Sequence, residues 1–350
     1  MTMKKIFALM LTLSMLLAMT ACGGSKDTTP APEGNEDTVS EGSNAPEYEI
    51  TMASFDATGT VGGLCGEKFV ELVDEASGGR IKINFFQDAV LGSETENMQQ
   101  IKTGEIHIGK FGDNFGSQIA TGIDPTVIPF IFESLDDVKA VYSDETLGAA
   151  IAKAAKENNN VYLIGLQDRS PRLLTASKEI ATPDQLKGVK VRVPEIDSWV
   201  TVWNGMGALS TVVAWSETYS ALQTGVVDAQ ENPIDNIYSN KIFEVNKYIM
   251  NTEHLQGLHH WCINADFYDS MDAEAQQILA DCLAEAIEWA NGELEAMNAQ
   301  YKEDILADGS VTFVDVDKNV WREAATPGIE KVLAEMDPLA QEYVNNYMAG

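Results

Sequence analysis

Residues 215–233 read Trp215-Ser216-Glu217-Thr218-Tyr219-Ser220-Ala221-Leu222-Gln223-Thr224-Gly225-Val226-Val227-Asp228-Ala229-Gln230-Glu231-Asn232-Pro233. Ser216 to Gln223 predicts a helix, Gly225 is its stop, and Val226-Val227 leads into Asp228–Asn232 before Pro233 breaks the chain. Working back, Val189–Val193 is a strand closed by Pro194, and Asp197–Met206 a helix. Leu135–Tyr142 and Leu147–Asn158 are helical, and Val161–Leu166 is a buried strand. Nearer the N-terminus the same grammar holds. Tyr48–Ala53 is a strand, and Leu64, Phe69, Leu72 and Val73 form a helical stripe that stops at Ser77-Gly78-Gly79. Arg80–Phe85 alternates polar and apolar as a half-exposed strand, Glu94–Lys102 is helical, and Ile106–Ile108 is a short strand. Strand and helix in alternation predict an α/β fold with mostly parallel sheets. Asp272 to about Ala307 holds no Pro and only Gly292. As one helix it would span about 54 Å, more than one small domain, so it should cross two domains or break at Asn291-Gly292. A continuous or gently kinked helix is expected.

The chain has 350 residues and a net charge of −31, with 45% hydrophobic and 22% charged residues. That is ordinary globular composition, and the length suggests about two domains. A surface so acidic repels nucleic acid unless a local basic patch intervenes. Four cysteines are too few for a disulfide scaffold.

The N-terminus is the one long apolar stretch. Lys4 and Lys5 precede an apolar run from Ile6 to Met19, which meets Thr20-Ala21-Cys22. This is a signal-peptide pattern, too short for a comfortable membrane span. Met19-Thr20-Ala21-Cys22 resembles a bacterial lipobox, with Met19 where Leu is usual. The resemblance implies cleavage after residue 21 and lipidation of Cys22, hence an extracytoplasmic protein anchored to the membrane. Residues 22–46 hold Gly, Ser, Thr, Pro, Asn and acids, which predicts a flexible tether. Of the remaining cysteines, Cys65, Cys262 and Cys282 lack metal or redox spacing and are expected as buried thiols.

The string at 215–233, with Lys187–Glu195 and Met206-Gly207-Ala208 before it, closely resembles the solute-binding subunit of tripartite ATP-independent periplasmic (TRAP) transporters. Gln87–Gly92, Gln100–Ile106 and Phe243–Tyr248 extend the likeness over about 47–350. The resemblance implies a two-lobed periplasmic-binding-protein-like α/β fold with a hinge and a long helix bridging both lobes. Lobe I would hold 47–168 and 257–297, and lobe II 169–256 and 298–350. It also implies capture of a small organic acid, a sugar acid or other carboxylate, in the cleft between the lobes. The partner would be a two-component permease driven by an ion gradient. No cofactor or metal is expected, and a monomer is.

Candidate contacts follow. Arg192 stands at the carboxyl end of a strand, where open α/β sheets bind ligands, and its planar fork matches a carboxylate. Its alternative is a surface salt bridge. Arg172, twenty residues earlier and ahead of Thr175-Ala176-Ser177, matches a carboxylate-site arginine of the family, with Arg169 as a rival. Asn232 is held by Pro233 and can both donate and accept. Trp215 can cover an apolar ligand face or simply pack in the core. In the first domain Phe55 is a departure from the family's polar contacts or a sign of a less polar ligand, and Lys110 or Asn114 can reach the cleft or be a solvated loop residue; Glu94 and Glu195 can accept from ligand hydroxyls or merely begin helices. Phe55, Trp199, Trp203 and Trp215 keep an aromatic or branched-chain acid in play.

His254, His259 and His260, with Cys262, lack metal spacing and read as structural. No nucleophile with a paired base is evident. An enzyme acting on a small acid would need Glu195 or His254 for proton transfer. A sensory subunit delivering ligand state to a receptor is the other alternative.

Overall fold

The computed structural model describes residues 45–349; the signal-peptide, lipobox and most of the tether readings, at residues 1–44, lie outside them. Eleven strands form two sheets among the described residues. They are β1 Tyr48–Ser54, β2 Ile81–Phe86, β3 Ile108–Phe111, β4 Val161–Asp168, β5 Leu173–Ala176, β6 Lys190–Val193, β7 Leu209–Val212, β8 Ala229–Asn232, β9 Tyr248–Met250, β10 Leu258–Asn264 and β11 Thr312–Val314. The first sheet has the order β2-β1-β3-β10-β4 and the second β11-β9-β5-β8-β6-β7. Both are parallel except for one reversed strand, β10 in the first and β5 in the second. Each reversed strand lies just after a crossing from one sheet to the other.

Local chemistry sets the helix ends. Thr60 caps Val61–Ser77, which stops at Gly78 with φ of 60°. Ser93 and Glu96 form a reciprocal capping box on Glu94–Thr103. Asp272 caps the long helix, Ala273–Ala307, which runs unbroken through Gly292. Ala275, Leu279, Leu283 and Ala286 pack into the core of the first sheet, whereas Tyr301 and Ile305 pack into that of the second. One helix therefore braces both layers, as its length requires.

The strand expected at Ile106–Ile108 begins two residues later and runs through Lys110. The pattern failed because Lys110 looks like a loop cation. In the structure it is 1% exposed and its ammonium meets Asp56 at 2.5 Å and the Gly62 carbonyl. A buried partner converts a polar-looking position into strand interior.

A third link joins the sheets. The Val127 carbonyl accepts from Trp199 Nε1 at 2.6 Å, and Phe130 packs against Trp203 and Trp321. The C-terminal helix Pro338–Ala349 lies against Leu147–Asn159, and Tyr347 Oη meets the Glu133 amide and Asp137.

Candidate ligand-binding site

Three arginines converge where the sheets face each other. Arg169 and Arg172 lie on the crossover from β4 to β5, and Arg192 is the third residue of β6. All three are at least 95% buried. Such charges are stable only with partners, or where the site is built to receive one.

Arg172 has partners on every side. Its Nε donates to Glu231 Oε2 at 2.5 Å and its Nη2 to Glu231 Oε1 at 2.9 Å, the bidentate fork that fits a carboxylate best. Nη2 also reaches Asn232 Oδ1 at 3.0 Å, and Nη1 reaches Asp113 Oδ2 at 3.1 Å. Its guanidinium sits over the Trp199 ring at 4.6 Å. Burial alone would raise the Glu231 carboxyl, but Arg172 and His254 outweigh it and hold it below its ordinary value. Burial likewise opposes the charge on Arg172, yet Glu231 and Asp113 keep it above its usual range.

Arg192 is different. Nε donates to the Val213 carbonyl at 2.9 Å, and neither Nη makes a hydrogen bond or ion pair among the described residues. Burial pulls it down to about 10, which leaves it charged at neutral pH. Its guanidinium lies 5.6 Å from the Trp215 ring centre. The two Nη groups present a planar donor pair to a cavity of about 810 Å³, within the range of small-molecule sites.

All eight candidate contact residues, Arg172, Arg192, Asn232, Trp215, Phe55, Glu94, Glu195 and Asn114, line that one cavity. Glu94 accepts from the Gly112 amide and from Asn114 Nδ2, each at 2.6 Å, and burial first of all raises its pKa. Asn114 Oδ1 is buried with no hydrogen-bond partner among the described residues. Asn232 is fixed by Arg172 and by a 2.7 Å bond to Gln230. Glu195 is exposed at the rim. Arg169 also enters, with Nη2 on Asn236 Oδ1 at 3.0 Å and its guanidinium over Phe55. The choice between Arg169 and Arg172 was therefore not exclusive as to position.

Glu231, Asp113, Asn236 and Asn240 were not singled out by sequence reasoning. The spacing of Asn236 and Asn240 was the available signal, since residues four apart share a helix face. Asn236 and Asn240, on and just after helix Ile234–Ser239, both line the cavity. Glu231 had no such signal.

Other expectations are corrected. Lys110 does not reach the cavity, because Asp56 holds it inside the first sheet. Trp203 is fully buried and packs on Phe130, His254 and Trp321 rather than facing the cavity. His254 lies behind Arg172, bonded to Glu231 at 3.0 Å and to Thr252 at 2.8 Å, so it cannot serve as a proton donor to a cavity ligand. His259 faces Asp56 at 3.1 Å, and His260 bonds Tyr142 and the Gly112 carbonyl. Cys65, Cys262 and Cys282 are buried and unpaired among the described residues.

Two sheets that offer the carboxyl ends of their strands, β1 and β3 from one and β6 and β8 from the other, to one cavity lined by three arginines define a two-lobed α/β solute-binding protein. Residues 52–336 match the model of bacterial extracellular solute-binding protein, family 7, and the chain belongs to that family of extracytoplasmic transport proteins. It is similar to a TRAP periplasmic solute-binding protein from Sulfitobacter solved with bound β-D-galacturonate, at 29% identity and a TM-score of 0.80, covering 86% of this chain and 100% of that one. A Roseobacter denitrificans counterpart with bound L-galactonate is 27% identical, with a TM-score of 0.79 over 87% of this chain and 99% of that one. The C4-dicarboxylate-binding periplasmic protein of Rhodobacter capsulatus is 26% identical over 77% of this chain and 82% of its own length.

Proposed function

We propose that the protein captures a small sugar acid by its carboxylate and hands it, unchanged, to a two-component TRAP permease. The observation that carries this reading is Arg192, a buried guanidinium that lines the cavity with both Nη groups free of any acceptor among the described residues. A ligand carboxylate supplies the missing charge, and each charge-assisted bond contributes about 1.5–3 kcal/mol. Trp215 covers that ion pair from one side. Hydroxyls of the ligand have acceptors waiting, above all Asn114 Oδ1, with Glu195 at the rim. Relatives with bound galacturonate and galactonate support a sugar acid. Lobes 47–168 with 257–297 and 169–256 with 298–350 close on the ligand, and closure marks the loaded state for the permease. The chain works as a monomer, tethered through residues 22–46 to a lipid on Cys22 once the signal peptide is removed.

A thermal-shift screen of organic and sugar acids tests the ligand. An acid at 100 times its dissociation constant stabilises by about 2.7 kcal/mol. Stabilisation by neutral sugars and by no acid would reject the reading. Cys22→Ser should move the protein from the membrane to the soluble fraction; retention after a carbonate wash contradicts the anchor.

A further inference from the structure

We propose that Asp113 is a specificity-determining residue: it takes the Nη1 donor of Arg172 and sets a carboxylate beside Arg169, the cations that a second ligand carboxylate would need, so the site accepts one carboxylate and rejects two. This rests on the reading of the cavity as an acid-binding site.

Asp113 stands at the cap position of the short helix Asn114–Gln118, yet its side chain makes no capping bond. Aspartate is favoured at that position because its carboxylate accepts from the amides that follow. Here the carboxylate turns away instead. Its Oδ2 lies 3.1 Å from Arg172 Nη1 and 3.7 Å from Arg169 Nη1, across the gap between the first sheet and the β4–β5 crossover. The residue is 8% exposed and lines the cavity. Gly112 beside it makes room for this arrangement, since a Cβ there would stand 2.9 Å from Arg169 Nη1.

Two arginines in the wall then face three carboxylates. Arg172 is forked by Glu231 and touched by Asp113, and Arg169 has Asp113 on one side and Glu94 near it. Of the three arginines, Arg192 is left without a carboxylate contact among the described residues. A monoanion satisfies it. The far end of a longer diacid would arrive at the buried carboxylates of Asp113 and Glu94, where like charges repel strongly, with the exposed rim acids Glu195 and Glu217 adding a weaker repulsion. The diacid is thereby excluded by carboxylates already in place, the repulsive half of specificity.

The test is calorimetric titration of the full chain with D-galacturonate and with galactarate, which carry the same six-carbon skeleton with one and two carboxylates. Wild type should bind galacturonate at least 100-fold more tightly. Asp113→Asn, which keeps the shape and removes the charge, should narrow that ratio at least tenfold, chiefly by a gain for galactarate. Asp113→Ser should shift the ratio in the same direction, which guards against an effect peculiar to the amide. Equal affinity of wild type for both acids overturns the proposal without needing any variant to fold. So does a ratio unchanged in both variants. Galacturonate bound and galactarate not discriminated therefore sinks Asp113's role alone, whereas no binding of either acid to wild type sinks the acid-site reading and this inference with it.

Discussion

Arg172 and Arg192 occupy the same cavity wall, are buried to the same degree, and live in opposite surroundings. Arg172 has Glu231, Asp113 and Asn232 on its donors. Arg192 has a single backbone carbonyl. A buried charge removed from water costs several kcal/mol, so each arginine must recover that loss somewhere. Arg172 recovers it within the fold, and on the proposed function Arg192 recovers it from a guest. On that reading, pairing separates a structural cation from a binding one where burial and position do not.

The largest effect is expected at the paired residue. Arg172→Met takes from Glu231 and Asp113 their nearest cation and should destabilise the protein by about 3–5 kcal/mol, seen as a lower midpoint in urea unfolding. An unchanged midpoint would erase the contrast. Arg192→Met should weaken acid binding by about 2–5 kcal/mol in calorimetry and leave the unliganded midpoint unchanged or higher, since it removes an uncompensated charge. A variant that loses stability but keeps affinity would reverse the two roles.

Acid sharpens the same comparison. Glu231 is buried, and the pull of Arg172 and His254 holds its folded pKa below the ordinary 4.5. Its contribution to stability is therefore full above that value and lost as the pH falls through the lowered folded value. Wild type should lose stability on acidification below about pH 4.5, and Glu231→Gln, less stable at neutral pH, should show a shallower loss over the same window. Parallel pH profiles would remove Glu231 from the account. The smallest effect belongs to Trp215→Ala, which takes an aromatic face from Arg192 and should cost about 0.5–2 kcal/mol of acid affinity. A change in stability alone would make Trp215 a packing residue.

Much of this was written in local pattern. Gly78 and Gly104 stop helices, Asp272 starts the long one, and β6 ends at Pro194 with Arg192 beside it. What was not legible depends on partners distant in sequence. Lys110 reads as a loop cation until Asp56 is opposite it, and β10 is hidden because His259 and His260 interrupt an apolar run. Arg172 and Arg192 look alike in the sequence because nothing there says that Glu231, 59 residues on, takes only one of them. The asparagines at 236 and 240 were visible as a spacing but not as a wall.

A crystal structure with a bound sugar acid tests the central claim most directly. The ligand carboxylate should lie within about 2.7–2.9 Å of the Nη atoms of Arg192, with the fork between Arg172 and Glu231 intact. A guest whose acid group sits elsewhere, or an uncharged guest that leaves both Nη groups bare, would contradict it.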